Sequence, residues 1–489
     1  MSAAQTIGVV GAGTMGAGIA QLGCQAGIST RLHDPDGAAL KRGAAAVRAG
    51  LEKASRKECF DLDAAAVGLQ VSPALEDLSC CDLVVEAAPE QADLKRELLT
   101  ALAAICGPEA VLATNTSSIP VTSLAGPVER PERVVGMHFF NPPPLMELVE
   151  VIAADQTGER ALATARATAT AMGRRVIEVA DGPGFLVNRC GRPFYSEALR
   201  IVEERLATPE QVDRICRMGG GFRMGPFELM DLVGIDVGYA VARSFHELSF
   251  GEPRWKPSPL QARMVAAGRL GRKTGSGWYE YGDGPHRPDD PEPIERGDDA
   301  SPVRLVGAPD ELLDRARELG LRVDAPDGPS LVSCRSGSLA TQCGDVDACG
   351  FMIGPPLTSA RIAEATRLPG TSDASCRATE GLMTALGLAT EWVGDAPGLV
   401  LRRTVCQLVN EASFAIGEGV ATAGDVDIGL TLGLNHPRGP VEWSEVIGPA
   451  LVLETVDALW AERHEERYRA APLLRRAAAL GLASIAEAA

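Results

Sequence analysis

Short apolar runs alternate with longer amphipathic stretches over residues 1–182. The first run, Ile7–Val10, leads into a glycine-rich turn and a series of helix formers, and Ser29–Asp34 then has the pattern of a second strand. Apolar runs this short are typical of buried strands, and strands that alternate with helices form mainly parallel sheets. We therefore predict a parallel, doubly wound α/β domain. Its further predicted strands are Cys81–Ala87, Ala110–Thr114, Arg133–His138, Leu148–Ile152 and Arg175–Val179.

The pattern becomes all-helical from Gly184 to about Tyr281, with helices predicted over Pro193–Leu206 and Pro209–Met218. A stretch rich in Pro, Gly and Asp follows and is typical of a linker. Beyond it we predict a small α/β segment whose role the sequence does not define. Its predicted strands are Val303–Val306, Ser330–Ser333 and Gly350–Ile353, and its predicted helices are Ala308–Leu319 and Thr379–Leu386.

The helical segment occurs twice in the chain. Asp181–Arg189 matches Asp395–Arg403, and the offset that relates Asp181 to Asp395 holds without a gap for more than fifty residues. Such a constant register indicates an internal duplication. Asn188 of the first copy is replaced by Arg402 in the second, so we expect the second copy to be a non-catalytic packing partner. The predicted domains are residues 1–182 (α/β), 183–282 (first helical copy), 283–300 (linker), 301–390 (small α/β segment) and 391–489 (second helical copy).

Composition narrows the class of protein. The 489 residues suffice for two to four domains, and a net charge of −18 argues against nucleic acid or an anionic membrane as a partner. We find neither an apolar stretch of about 18 residues nor a signal peptide pattern. The 12 cysteines show no metal-binding spacing, so we expect no metal, reduced thiols and a cytoplasmic protein.

The glycine turn after the first strand has the sequence GAGTMG. Gly11 permits a tight turn, Gly13 lets the backbone approach a pyrophosphate, and Gly16 permits close packing of the helix on the sheet. Asp34 ends the second strand, where a carboxylate can accept hydrogen bonds from both ribose hydroxyls and would repel a 2′-phosphate. The unit therefore predicts a Rossmann-type domain that binds NAD rather than NADP.

Polar side chains follow two further predicted strands. Asn115 and Ser117 come directly after one strand and His138 ends the next, so all three should lie at the cofactor crevice. Glu150 lies within an apolar strand and needs a partner, and an imidazole would be a suitable one. Taken singly, His138 and Ser117 could each be structural, and Asn188 could be an ordinary helix residue. The carboxylate downstream and the dinucleotide motif upstream favour a catalytic His138–Glu150 pair.

The chain resembles the 3-hydroxyacyl-CoA dehydrogenases across most of residues 7–281. GRKTGSGWYEY (Gly271–Tyr281) and GLNHPRGPVEW (Gly433–Trp443) further resemble the long bacterial form, whose C-terminal domain is duplicated. The stretches that carry the main resemblance are GVVGAGTMGAGIAQ (Gly8–Gln21), VVEAAPE (Val84–Glu90), NTSSIPVTSLA (Asn115–Ala125), GMHFFNPPPLMELVEVI (Gly136–Ile152), DGPGFLVNR (Asp181–Arg189) and GFRMGPFELMDLVG (Gly221–Gly234).

The resemblance implies a role for each matching catalytic residue. His138 would be the general base, Glu150 would pair with it, and Ser117 and Asn188 would hydrogen-bond the substrate oxygen. The implied reaction is NAD-dependent oxidation of (S)-3-hydroxyacyl-CoA to 3-oxoacyl-CoA, in fatty-acid β-oxidation or phenylacetate-type catabolism.

The resemblance also implies contacts outside this quartet. Glu90, Lys95 and Asn115 match nicotinamide-side contacts, and Lys53 lies in a basic stretch, Leu51–Lys57, that is similar to a CoA-binding helix. A solvated charged face explains that basic stretch equally well. Relatives dimerise through the helical domain, so we expect either a homodimer or an intramolecular pseudo-dimer of the two helical copies.

Two other functions remain open on the sequence. A related β-hydroxyacid dehydrogenase would act on a free acid, but it typically uses a catalytic lysine rather than a His–Glu pair. A non-catalytic NAD-binding protein could have arisen on the same fold. The intact quartet argues against this second alternative.

Overall fold

The computed structural model describes residues 2–57, 60–292, 294 and 300–489. Residues 293 and 295–299, within the predicted linker, lie outside the described residues. The chain forms two compact units: residues 1–189 with 419–434, and residues 190–418 with 435–489.

The first unit is built on an eight-stranded sheet with the order β3-β2-β1-β4-β5-β6-β7-β8. Helices alternate with the strands, which confirms the predicted doubly wound class. The strands are β1 (Thr6–Val10), β2 (Ser29–His33), β3 (Leu69–Ser72), β4 (Leu83–Glu86), β5 (Val111–Thr114), β6 (Val134–Phe139), β7 (Leu148–Ala153) and β8 (Arg175–Ala180). The helices are α1 (Thr14–Gln25), α2 (Gly37–Ala54), α3 (Leu62–Gly68), α4 (Ala92–Ile105), α5 (Val121–Ala125) and α6 (Glu159–Ala171).

One strand departs from the predicted parallel arrangement, because β7 runs antiparallel to β6. Only residues 140–147 join the two strands. A parallel return needs a crossover of about a dozen residues or more, so this connection can only reverse direction. The reversal pairs His138 directly with Glu150 across the two strands.

Most of the remaining helices belong to the second unit. The helix Pro209–Gly220 (α9) begins where the sequence supplies a cap: Thr208 and Gln211 form a capping box, with Pro209 at the first helical position, and Gly221 (φ +73°) ends the helix. The helices are α7 (Val187–Cys190, at the boundary of the units), α8 (Arg192–Glu203), α9 (Pro209–Gly220), α10 (Pro226–Val233), α11 (Ile235–Leu248), α12 (Pro259–Ala266), α13 (Asp310–Glu318), α14 (Leu339–Gln342), α15 (Asp373–Ala385), α16 (Leu401–Gly417), α17 (Ala423–Leu434, in the first unit), α18 (Pro440–Ile447), α19 (Pro449–Arg463) and α20 (Pro472–Ala479).

The second unit contains a five-stranded sheet of its own, with the order β13-β12-β11-β10-β9. The sequence predicts three of these strands but not β12 or β13, because a glutamate interrupts each short apolar run. The strands are β9 (Arg304–Val306), β10 (Ser330–Ser333), β11 (Cys349–Ile353), β12 (Ile362–Arg367) and β13 (Ala389–Trp392).

The two helical copies pack against each other within the second unit through α8 and α16. Arg403 is fully buried between them and donates to Glu197 (2.9 Å), to Glu204 (3.0 Å) and to the Tyr468 hydroxyl (2.7 Å). Burial alone would lower the pKa of Arg403, but Tyr468, Glu197 and Glu204 hold it above its ordinary value. The helical pair is therefore joined by a buried ion-pair network.

Replacing Arg403 tests how far this network stabilises the second unit. Arg403→Met leaves Glu197 buried without its cation, and we expect the free energy of unfolding to fall by about 3–5 kcal/mol. All five tryptophans lie in the second unit, so urea titration followed by tryptophan fluorescence reports on that unit alone. The control is Arg317→Met, which removes an exposed pair with Asp314 and should cost less than about 1 kcal/mol. Equal losses in the two variants would contradict the assignment.

Candidate active site

The glycine turn has the geometry that a dinucleotide requires. Gly11 has φ +100°, and a Cβ there would lie 2.6 Å from the Ala87 carbonyl oxygen. A Cβ on Gly16 would lie 1.8 Å from the Gly11 carbonyl oxygen, whereas one on Gly13 would meet nothing within 4 Å. The open space at Gly13 adjoins the start of α1, which has no side-chain cap, so its N–H groups remain for a pyrophosphate.

Asp34 lies just past β2 and is half-buried. Its carboxylate accepts from the Ala12 N–H within the glycine turn (2.8 Å) and from the Asp36 N–H (2.9 Å). These bonds hold the carboxylate beside the turn, where a ribose diol would lie next to the pyrophosphate. The residues of this turn therefore fit NAD.

Glu90 organises the turn that carries Ser117. Its Oε1 accepts from the Thr116 hydroxyl (2.6 Å), from the Ser117 N–H (3.0 Å) and from the Ser118 N–H (3.1 Å). Burial would raise the pKa of the Glu90 carboxyl, but Thr116 and the Lys95 ammonium together lower it below the ordinary value. Glu90 is therefore an ionised clamp on the Ser117 turn.

Lys95 is buried next to Glu90. Its side chain is only 1% exposed, and its Nζ lies 2.8 Å from Glu86, 3.1 Å from the Ala88 carbonyl oxygen and 3.4 Å from Glu90. The ammonium is thus surrounded by protein acceptors. These contacts are suited to holding Glu90 in place, and the predicted cofactor contact of Lys95 stays a prediction.

Asn115 connects the ends of β5 and β6. Its Oδ1 accepts from the Phe139 N–H at 2.8 Å, and Phe139 is the residue that follows His138 in the chain. The amide oxygen is thereby used by the fold, and the amide nitrogen remains as a donor. Asn115 and Ser117 are both half-buried, at the carboxyl ends of the strands where ligands bind in this architecture.

His138 and Glu150 form a direct pair. The His138 Nδ1 lies 2.6 Å from Glu150 Oε2, and both residues are buried. The His138 ring lies near the rings of Phe140 and Phe185, with centroid distances of 4.6 and 5.9 Å. Because the carboxylate accepts, Nδ1 carries the proton and Nε2 is left as the basic nitrogen.

The second oxygen of Glu150 fixes the turn that carries Asn188. Oε1 accepts from the Leu186 N–H (3.1 Å) and from the Val187 N–H (2.9 Å), and Asn188 is the next residue of α7. Asn188 is half-buried. One fully buried carboxylate thus holds both the imidazole and the backbone beside the predicted oxygen-binding amide.

No described contact links Lys53 to this network. Lys53 is exposed in the last turn of α2, which ends at Ala54, so the predicted basic helix does not extend to Lys57. Its role in binding CoA stays a prediction.

Sequence reasoning missed Glu86 as part of the site. This residue is fully buried at the end of β4, where it accepts from Lys95, from the Thr114 hydroxyl (2.7 Å) and from the Ala88 N–H (2.6 Å). The sequence carries the same signal for Glu86 as for Glu150, which is a carboxylate that ends or interrupts an apolar strand.

The described residues contain no cluster of three metal-ligating side chains. Among the helices described, none is long and apolar enough to cross a bilayer. A buried carboxylate that orients an imidazole, within a domain that also carries a dinucleotide turn, is suited to abstraction of a hydroxyl proton during oxidation.

Comparisons with known proteins agree with this chemistry. A family model described as "3-hydroxyacyl-CoA dehydrogenase, NAD binding domain" matches residues 6–182, and the model of the C-terminal domain of that family matches residues 184–281 and again 398–487. The 3-hydroxyadipyl-CoA dehydrogenase of Escherichia coli is 35% identical over 97% of this chain and 98% of its own length. A probable 3-hydroxybutyryl-CoA dehydrogenase of Deinococcus radiodurans is 41% identical over 56% of this chain and 99% of its own length.

A solved structure is similar to this chain over nearly its whole length. The crystal structure of 3-hydroxybutyryl-CoA dehydrogenase from Escherichia coli superposes with a TM-score of 0.89 at 33% identity, over 98% of this chain and 99% of that one. From its NAD-binding domain to its duplicated C-terminal domain, the chain belongs to the 3-hydroxyacyl-CoA dehydrogenase family.

Proposed function

We propose that the protein oxidises (S)-3-hydroxyacyl-CoA to 3-oxoacyl-CoA with NAD. The observation that carries this proposal is the 2.6 Å contact between His138 Nδ1 and Glu150, on the paired strands β6 and β7 of an NAD-binding domain. The names of the relatives support a CoA thioester as substrate.

The reaction follows from the residues of the site. His138 Nε2 takes the proton of the 3-hydroxyl group, while Ser117 and Asn188 donate hydrogen bonds to the oxygen as it becomes a carbonyl. Glu150 stabilises the imidazolium that forms. NAD, when bound along the glycine turn and Asp34, supplies the acceptor for the hydride of C3.

The remaining parts of the proposal concern organisation. We propose the domain bounds 1–182, 183–282, 283–300, 301–390 and 391–489, which the two matches to the C-terminal family model support. The packing of α8 on α16 supports an intramolecular pseudo-dimer, with a homodimer of whole chains as the alternative. The free thiols of the described cysteines support a cytoplasmic location.

A panel of substrates tests the activity. We expect NAD reduction with (S)-3-hydroxyacyl-CoAs, from hydroxybutyryl to long chains and including hydroxyadipyl, and much slower reduction of NADP because Asp34 repels a 2′-phosphate. Free 3-hydroxy acids should be inert. Turnover of free acids but not of thioesters would support the β-hydroxyacid alternative, and no turnover in a protein that binds NAD would support the binding-protein alternative.

Glu150→Gln tests the pair that carries the proposal. The glutamine keeps an acceptor for the Val187 N–H but removes the charge beside the imidazole, so kcat should fall by about 10²–10⁴-fold. NAD affinity should change little, and the acidic limb of the pH–rate profile should move towards lower pH. The matched control is Glu178→Gln on β8, which alters an exposed ion pair with Arg166. This variant should leave kcat and the pH–rate profile unchanged. A wild-type pH profile for Glu150→Gln would refute the pairing.

Glu90→Gln tests whether Glu90 acts through Ser117. Loss of the charge weakens the clamp on the Ser117 turn, and we expect kcat to fall about tenfold. In a Ser117→Ala background the same change should have little further effect, because residues that act as a unit are not additive. Independent, additive losses in this double-mutant cycle would contradict the positioning role.

A further inference from the structure

The small sheet of the second unit repeats half of the large sheet. From β9 to β13 its strands pair parallel, parallel, antiparallel and parallel, in the same sequence as β4 to β8. The bounds of β12 and α15 are those of β7 and α6 shifted by the offset that relates the two helical copies. The duplication therefore includes this sheet as well as the helices.

The duplicated sheet keeps the buried carboxylate but not the base. Glu364 corresponds to Glu150 at this offset, and it accepts from the Val400 N–H (2.6 Å) and the Leu401 N–H (3.2 Å). Its partner across the strands is Met352, where β6 has His138. Burial raises the pKa of Glu364 to about 8. The second site has thus lost the group that could take a proton.

Two arginines occupy the places of the two oxygen-binding residues. Arg402 corresponds to Asn188 at the same offset. In the sheet register Val332 pairs with Gly350 as Thr114 pairs with Gly136, which puts Arg335 at the place of Ser117. The chain has therefore replaced two neutral donors with two cations.

Both arginines line a cavity of about 130 Å³. The cavity is otherwise mainly apolar, and Glu311 is its only acidic lining residue among those described. Its apolar walls include Leu312, Phe351, Met352, Leu357, Ile447 and Leu451.

The charge in this cavity is unbalanced. Arg402 is half-buried and donates to the Thr455 hydroxyl (3.2 Å) and the Leu451 carbonyl oxygen (3.3 Å). In the described part of the chain, no carboxylate lies within ion-pair distance of Arg402 or Arg335, whereas the neighbouring Arg403 contacts two glutamates. Burial lowers the pKa of Arg402 and the charge of Arg335 lowers it further, whereas Cys406 and Glu454 only partly offset these effects. An anion would relieve this repulsion.

We propose that this cavity binds a short aliphatic carboxylate. Two guanidinium groups supply charge-assisted donors for the carboxylate oxygens, and the leucine, methionine and phenylalanine side chains contact the hydrocarbon body. The small apolar volume disfavours a nucleotide or a peptide, and inorganic phosphate would leave the apolar walls without a contact. The site is independent of the dehydrogenase reaction, since its residues lie outside the catalytic network.

Calorimetric titration of the full-length protein with butyrate tests this proposal. We expect saturable binding of one butyrate to this cavity, which Ser117→Ala retains and which Arg335→Met/Arg402→Met weakens at least about tenfold. Butyramide, which has the same shape without the charge, should bind at least about tenfold more weakly than butyrate. The double variant should keep the dehydrogenase turnover of the wild-type protein, and Arg335→Met alone should also keep its melting temperature.

Three further variants separate binding from folding. Arg335→Met alone removes a side chain with no described hydrogen bond and should still weaken butyrate binding. Glu311→Gln removes the exposed carboxylate of the cavity lining and should strengthen the binding of butyrate. Arg317→Met, on an exposed face of α13, should change nothing. The proposal is overturned by equal binding in the wild-type and double-variant proteins, by equal binding of butyrate and butyramide, or by binding of inorganic phosphate in preference to butyrate.

Discussion

The site depends on one buried carboxylate. Burying an ionised group is costly unless hydrogen bonds replace its water, and Glu150 satisfies this condition with an imidazole on one oxygen and two backbone N–H groups on the other. Because β7 runs antiparallel to β6, Glu150 lies opposite His138. The hydrogen bonds of the Glu150 carboxylate therefore form only when the sheet, His138 and the start of α7 are all in place.

The second half of the chain separates the two roles of this carboxylate. Glu364 holds its helix start through the same two backbone groups, although Met352 stands where an imidazole would be. The bonds to the helix start thus belong to the fold, and the proton transfer that we propose requires the imidazole in addition. Complete burial raises the pKa of Glu364, and its two backbone hydrogen bonds only partly offset this effect.

The sequence predicted the parts of this structure that have local signals. The glycine turn, the first two strands and the His138–Glu150 pairing all follow from short patterns. The reversed direction of β7 depends on a connection too short for a crossover, and the strands β12 and β13 each contain a glutamate that interrupts the apolar pattern. The match of the two sheets was hidden because their side chains diverged while their backbone pairing did not. The contacts of Lys95 depend on Glu86 and Glu90, which only the tertiary fold brings together.

The tautomer of His138 shows whether Glu150 orients the imidazole for proton abstraction. Nitrogen-15 NMR of histidine-labelled protein, with His138 assigned by comparison with His138→Gln, reports which ring nitrogen carries the proton. We expect a proton on Nδ1, in a strong hydrogen bond that Glu150→Gln disrupts, and a bare Nε2 in the neutral ring. A proton on Nε2, or an Nδ1 signal that Glu150→Gln leaves unchanged, would show that Glu150 does not orient the imidazole.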